Sequence, residues 1–180
     1  ISTVNYDVYK RINPKIQVID LIISGLYGKY CKISYKTERD ISLGEDLLNK
    51  MSISNLSQRF FFHLSEGEKQ IVLIARALIK KPDFLILDEP IANLDLKSRF
   101  YVIDYINKLT KLKTKIICIT HDITMITEGF NRIIMLKEKK IIADGTQEDI
   151  INSQNLSNLY GIDVDVVKHK GIWHIYRELR

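Results

Sequence analysis

Apolar residues along this chain fall into two periodicities, and their alternation sets the expected fold. Over residues 16–23 they recur at Val18, Ile19, Ile22 and Ile23, a helical spacing that Gly25 and Gly28 close. A polar stretch follows, and a second helix is expected over residues 41–51. Ser65, three residues ahead of Glu68, reads as a capping box at the head of a helix running to about Lys80, with Pro82 to stop it. Residues 84–87 form a short, wholly apolar run, the mark of a strand buried in a parallel sheet. After Asp95 the helical spacing returns at Phe100, Ile103, Ile106 and Leu109, and residues 115–119 form another buried strand.

The same alternation continues towards the end of the chain. A short helix is expected after His121, then a strand over residues 132–136, a turn over 137–140 and a returning strand over 141–143. Thr146 caps a further helix, which Leu156–Tyr160 would extend. Lys170-Gly171 between short apolar runs predicts a last hairpin. Residues 1–4 read as the end of a strand, and Asn13-Pro14 as a turn. Strands alternating with helices make the fold class α/β. The expected parts are the end of an N-terminal core portion (1–14), a helical subdomain (15–64), the main core (65–160) and a C-terminal β-hairpin (161–180).

Composition narrows the picture. At 180 residues and 46% hydrophobic, the chain can bury one sizeable core. Its longest apolar run, residues 71–79, is interrupted by Arg76, too short for a membrane span of ~20 residues. There is no basic start followed by an apolar run, as a signal peptide would need. Cys31 and Cys118 lack metal-ligand spacing and read as reduced thiols of a cytoplasmic protein. The net charge of +5 comes largely from scattered lysines, with Lys137, Lys139 and Lys140 at an expected turn. Without interleaved aromatics this reads as a solvated surface, and no nucleic-acid partner is expected. The first residue is Ile1, so either processing or an upstream segment is expected.

Candidate chemistry gathers at strand ends and one helix start. In Leu85-Ile86-Leu87-Asp88-Glu89-Pro90 two carboxylates leave a buried strand, where open α/β sheets place their ligands. One could hold Mg²⁺ opposite phosphate oxygens and the other polarise an attacking water. The segment Leu64-Ser65-Glu66-Gly67-Glu68 opens a helix whose free N–H groups favour phosphate. Asn93, Leu94 and Asp95 follow the acidic pair, and His121 follows the next strand. Each feature taken alone also fits an ordinary strand end, capping box or surface histidine.

In this order and spacing the features resemble the nucleotide-binding subunits of ABC ATPases. Residues 64–68 look like the family's signature motif, 84–89 like its Walker B, 93–95 like its D-loop and His121 like its switch histidine. Ala75-Arg76-Ala77-Leu78 is similar to the helix that follows the signature. The resemblance implies a RecA-like P-loop NTPase core of ABC type with a helical subdomain, truncated at its N-terminus. It implies an ATP-hydrolysing enzyme that uses ATP and Mg²⁺. Asp88 would hold Mg²⁺ through water, Glu89 would be the general base and His121 would contact the γ-phosphate. Asp95 would couple two sites across a dimer. Leu64, Ser65, Glu66, Gly67 and Glu68 would form the face offered to ATP on a second ATPase subunit, most simply an identical one.

The implied partners are transmembrane permease subunits, and the implied location is the cytoplasmic face of the cell membrane. Residues 18–28, 145–150 and 159–164 are similar to importers of metal ions, iron chelates and molybdate, which favours uptake over export. Alternatives are a non-transport ABC ATPase and a catalytically incomplete partner subunit. Three departures stand out: Glu66 where glycine is usual, Glu68 where glutamine is usual, and neither Asn5 nor Tyr6 a glutamine at the expected Q-loop. No G-x-x-x-x-G-K-[ST] occurs, and residues 25–30 carry their glycines too close together to supply it. The resemblance places that loop upstream of residue 1, so the isolated chain is expected to bind ATP poorly.

Overall fold

The computed structural model describes residues 1–177, the side chains of Tyr6 and Asp7 apart. They divide into two compact units, Ile1–His121 and Asp122–Arg180.

In the first unit β1 (Ser2–Val4), β2 (Phe84–Asp88) and β3 (Lys115–Ile119) form a parallel sheet in the order β1-β2-β3. Val4 pairs with Leu87 and Asp88 with Ile119, so the carboxyl ends of all three strands lie at one edge. Leu85 and Leu87 are wholly buried on one face of β2, while Phe84 on the other face is exposed, so the strand is buried on one side rather than both. β3 departs from expectation in the same way. Ile117 and Ile119 are exposed, because they lie on the sheet face opposite Leu85 and Leu87, the face on which Phe84 of central β2 is exposed too.

Four helices complete this unit, α1 (Val18–Ser24), α2 (Glu38–Lys50), α3 (Glu66–Leu78) and α4 (Leu96–Leu109), with α3 packed between β1, α1 and α4. Every residue of α1 is buried, including Asp20, whose carboxylate lies 2.5 Å from Lys36 Nζ. α2 starts at Glu38, ahead of the expected residue 41. The Thr37 hydroxyl accepts from the Asp40 N–H at 3.2 Å while the Asp40 carboxylate accepts from the Thr37 N–H at 2.9 Å. This polar first turn adds nothing to the apolar periodicity, so the pattern alone starts the helix late. α3 ends at Leu78 rather than Lys80, because Lys81 turns to φ 49° and donates its N–H to the Leu78 carbonyl at 2.8 Å.

Residues 25–30 close α1 through a 3-10 turn (Gly25–Tyr27), with Gly28 at φ 67°. Arg76 of α3 holds this turn. Its Nη2 donates to the Lys29 carbonyl at 2.7 Å, and its guanidinium lies 3.7 Å from the Tyr30 ring centroid. Arg76 is nearly buried, and desolvation pulls its pKa below the usual arginine value.

The second unit is built on two hairpins. β4 (Ile133–Lys137) and β5 (Lys140–Gly145) pair antiparallel across Glu138-Lys139, both at positive φ, as a two-residue turn of this kind demands. β6 (Asp165–His169) and β7 (Ile172–Tyr176) pair across Lys170-Gly171 in the same way. Between the hairpins lie α5 (Gln147–Ile150) and α6 (Ser153–Tyr160). The expected single helix is therefore two, because Asn152 starts a new one by accepting from the Asn155 N–H at 2.9 Å. The expected short helix after His121 is a 3-10 turn, Ile123–Met125. Ile123, Met135, Ile150, Leu156, Val164 and Trp173 pack as the core. Buried Gln147 is satisfied by donating to the Thr127 carbonyl at 2.7 Å and accepting from Trp173 Nε1 at 3.1 Å. Among the described residues no helix is long and apolar enough to cross a membrane.

Candidate active site

The carboxyl edge of the sheet places Asp88, Glu89 and His121 together. Asp88 ends β2 with its side chain exposed. Glu89 leaves the strand in the left-handed region, at φ 48°, and its N–H still donates to the Ile119 carbonyl at 2.8 Å. A non-glycine residue in this region is strained, and here the strain turns its side chain towards the end of β3. Glu89 Oε1 accepts from the His121 N–H at 3.1 Å and lies 2.7 Å from His121 Nδ1. The ring contact is a hydrogen bond when Nδ1 carries the proton, since a carboxylate oxygen accepts. The Thr120 hydroxyl donates to Glu89 Oε2 at 3.4 Å.

A second cluster forms where α3 and α4 begin. Ser65 caps α3: its hydroxyl accepts from the Glu68 N–H at 3.3 Å, and Glu68 Oε2 accepts from the Ser65 N–H at 2.8 Å. Glu68 also meets Arg59 at 3.2 Å, and Glu66 meets Lys69 at 2.6 Å. Leu64 is buried beneath the cap. Asp95 caps α4, accepting from the Ser98 N–H at 3.1 Å and the Ser98 hydroxyl at 2.6 Å. Those two hydrogen bonds, the hydroxyl's first, hold its carboxyl below the ordinary value of 3.8. Gly67 links the two caps, since a Cβ there would stand 3.1 Å from Ser98 Cβ.

A cleft of about 230 Å³ opens beside Asp88 and Glu89 and reaches Glu66 at the start of α3, without His121 in its lining. Asp88, Glu89, Asn93 and Glu66 line it, together with Tyr9 and Gln70. The Tyr9 hydroxyl donates to Gln70 Oε1 at 3.3 Å. Beside it, Cys118 has its thiol pKa pushed up to about 12, by burial first and then by the Glu89 and Asp88 carboxylates. The cleft is thus electronegative, with exposed carboxylate at a strand end, the donor type that hard divalent cations take. Leu64, Ser65, Gly67, Glu68 and Asp95 lie on the adjoining helix starts rather than among the cleft's lining residues. Of the expected Q-loop positions, Asn5 precedes the 3-10 helix Tyr6–Arg11, and the side chain of Tyr6 lies outside the described residues.

Sequence reasoning missed Tyr9, Gln70, Ser98 and Lys69. Ser98 and Lys69 were open to it, because each stands three residues after the carboxylate it contacts. Tyr9 was not, because it reaches the cleft only through the tertiary fold.

Residues 3–92 match the family model described as ABC transporter. The chain is 33% identical over 168 residues to YmeB, an uncharacterized ABC transporter ATP-binding protein of Lactococcus lactis, covering 92% of this chain and 65% of that one. It is 32% identical over 145 residues to the zinc import ATP-binding protein ZnuC of Psychrobacter cryohalolentis, covering 80% and 58%. To the hemin import ATP-binding protein HmuV of Hahella chejuensis it is 31% identical over 134 residues, covering 71% and 52%. The chain therefore spans less than two thirds of the length of these curated relatives. Among solved structures, a metal-chelate type ABC transporter in an inward-facing conformation superposes with a TM-score of 0.74 at 22% identity, over 90% of this chain and 65% of that one. At that identity the likeness establishes the fold, the cassette of ABC ATPases.

Proposed function

This chain belongs to the ABC transporter family of ATP-binding proteins, and we propose that it acts as the ATP-hydrolysing subunit of an importer. The observation that carries the reading is Glu89. It stands at the carboxyl end of a parallel strand, is turned by a strained backbone and is gripped by His121 through both N–H and Nδ1. A carboxylate so held is oriented before any substrate arrives, which is what a general base needs. It would take a proton from water as that water attacks the γ-phosphorus of ATP, and ADP would leave as the other product. His121 would keep the base in register and contact the γ-phosphate.

Asp88 would hold Mg²⁺ through water, and the ion would supply charge neutralisation at the phosphates. The capped start of α3, with Ser65 and Gly67, would face ATP held by a second, identical subunit, and Asp95 would relay between the two sites. The cargo class that best fits the relatives is a metal ion or an iron chelate such as hemin, while an oxyanion rests on the sequence resemblance alone. Permease subunits in the membrane would receive the motion, with this subunit peripheral on the cytoplasmic face.

The test is ATP turnover by the full-length protein beside Glu89→Gln. Turnover is expected to fall by at least about 10²-fold, as for loss of a general base, with ATP binding retained. Unchanged turnover would show that Glu89 is not the base. Absence of turnover in both, with membrane partners present, would identify a catalytically incomplete partner subunit instead.

A further inference from the structure

The start of α3 carries an unusual charge load for a phosphate-facing element. Glu66 and Glu68 both lie in its first turn, and Glu66 also lines the cleft that holds Asp88 and Glu89. ATP brings several negative charges of its own. An uncompensated Glu66 would repel them at short range, in a site where water screens less than in bulk. The two glutamates are paired differently. Glu68 is spent in the capping box and meets Arg59. Glu66 is half exposed, and its contact is Lys69 Nζ at 2.6 Å. That lysine is not a free surface side chain. Only 12% of it is exposed, and its ammonium lies 5.7 Å from the Phe62 ring centroid. An ammonium fixed in this way loses little entropy in the pair and is poorly reached by salt, unlike most surface ion pairs.

We propose that Lys69 is a positioning residue of the ATP site, one that holds the Glu66 carboxylate in an ion pair and so lets a helix start bearing a glutamate accept phosphate. The proposal rests on the reading of this site as an ATP site. Lys69 acts through Glu66 and does no chemistry, so its loss raises KM far more than it lowers kcat. Glycine at position 66 removes the need for it.

The experiment is ATP binding and steady-state hydrolysis by the full-length protein, for wild type, Lys69→Gln, Lys69→Arg, Glu66→Gly and the Glu66→Gly/Lys69→Gln double variant. Lys69→Gln is expected to raise KM and the ATP dissociation constant about tenfold, the scale of one uncompensated like charge near the phosphates. Raised ionic strength narrows the deficit, and Lys69→Arg stays within about twofold of wild type. The double variant returns to the Glu66→Gly value, a coupling that general damage to α3 would not produce. An unchanged KM in Lys69→Gln, or the same loss with and without Glu66, overturns the proposal while leaving the ATP site standing. A wild-type protein that binds no ATP overturns both.

Discussion

Gly25 to alanine is a small change that the fold should not tolerate. Gly25 adopts φ −58°, a conformation open to any residue, so the cost is purely one of space. A Cβ there would stand 2.4 Å from the Arg76 carbonyl oxygen and 3.0 Å from Ile79 Cγ2, whereas ordinary contact begins near 3.4 Å. The obstructing oxygen belongs to the backbone of α3 and cannot rotate away. The end of α1 must therefore part from α3 by about 1 Å, at the point where Arg76 ties the two through Lys29 and Tyr30. Forcing one methyl into such a contact costs ~1–3 kcal/mol, and the better helix propensity of alanine returns up to ~1 kcal/mol. Because the obstructing atom is backbone, the upper part of that range, ~2–3 kcal/mol, applies, and the net loss of about 1–2 kcal/mol corresponds to about 2–8 °C in Tm for a chain of this size. The signal to follow is far-UV circular dichroism, because α1–α4 all lie in the first unit. The chain's one tryptophan, Trp173, lies in the second and would report the wrong transition. Gly28→Ala is the control: it has nothing within 4 Å but sits at φ 67°, so its cost is backbone strain of about 1 kcal/mol. An unchanged or raised Tm for Gly25→Ala would refute the reasoning.

The remaining predictions concern titratable groups near the site. The Asp95 carboxyl, held below 3.8 by Ser98, contributes its cap above that value and loses it as pH falls through its lowered midpoint. Carbon-13 NMR of the Asp95 carboxyl should show a midpoint under 3.8 that rises in Ser98→Ala, and a midpoint at or above 3.8 in the wild type would exclude the cap as drawn. With its pKa pushed up to about 12, native Cys118 should react with iodoacetamide at pH 8 at least about 10²-fold more slowly than exposed Cys31. Comparable rates by peptide mapping would count against that burial. For the same reason the Cys118 contribution to stability, complete below its ordinary value of 9.0, should fade as pH rises towards 12, visible as a steeper fall of Tm in the wild type than in Cys118→Ala, where Tyr105 and Tyr160, whose pKa values desolvation raises, still lose stability.

The parts of this fold that were legible in the sequence are those fixed by local rules. Ser65 and Glu68 form a capping box because their spacing allows nothing better for the free N–H groups of α3. The apolar run at residues 84–87 made β2 visible, and the acidic pair after it followed from where that strand had to end. What escaped was set by tertiary position. The exposure of Ile117 and Ile119 depends on which face of the sheet is covered, which an apolar run does not encode. The division of the expected long helix at Asn152 turned on a single cap that the apolar spacing passes over. The Glu89–His121 contact joins residues 32 positions apart and arises only because β2 and β3 are in register at Asp88 and Ile119.

That register also explains how two unlike motifs can answer to one another. β2 and β3 fix Glu89 against His121, and the turn that leaves Glu89 runs through Ala92 and Asn93 to Asp95, the cap of α4. Ser98, bound twice to Asp95, is the same residue that lies against Gly67 in the first turn of α3. A displacement of Glu89 at the strand end therefore has a short mechanical route to the capped helix: strand end, turn, Asp95, Ser98, Gly67. Each link is a backbone segment, a hydrogen bond of 3.1 Å or less, or a contact with no room for another methyl. Packed contacts of that kind shift as a unit rather than deforming gradually. The absence of a side chain at position 67 is what brings the last link close enough to act.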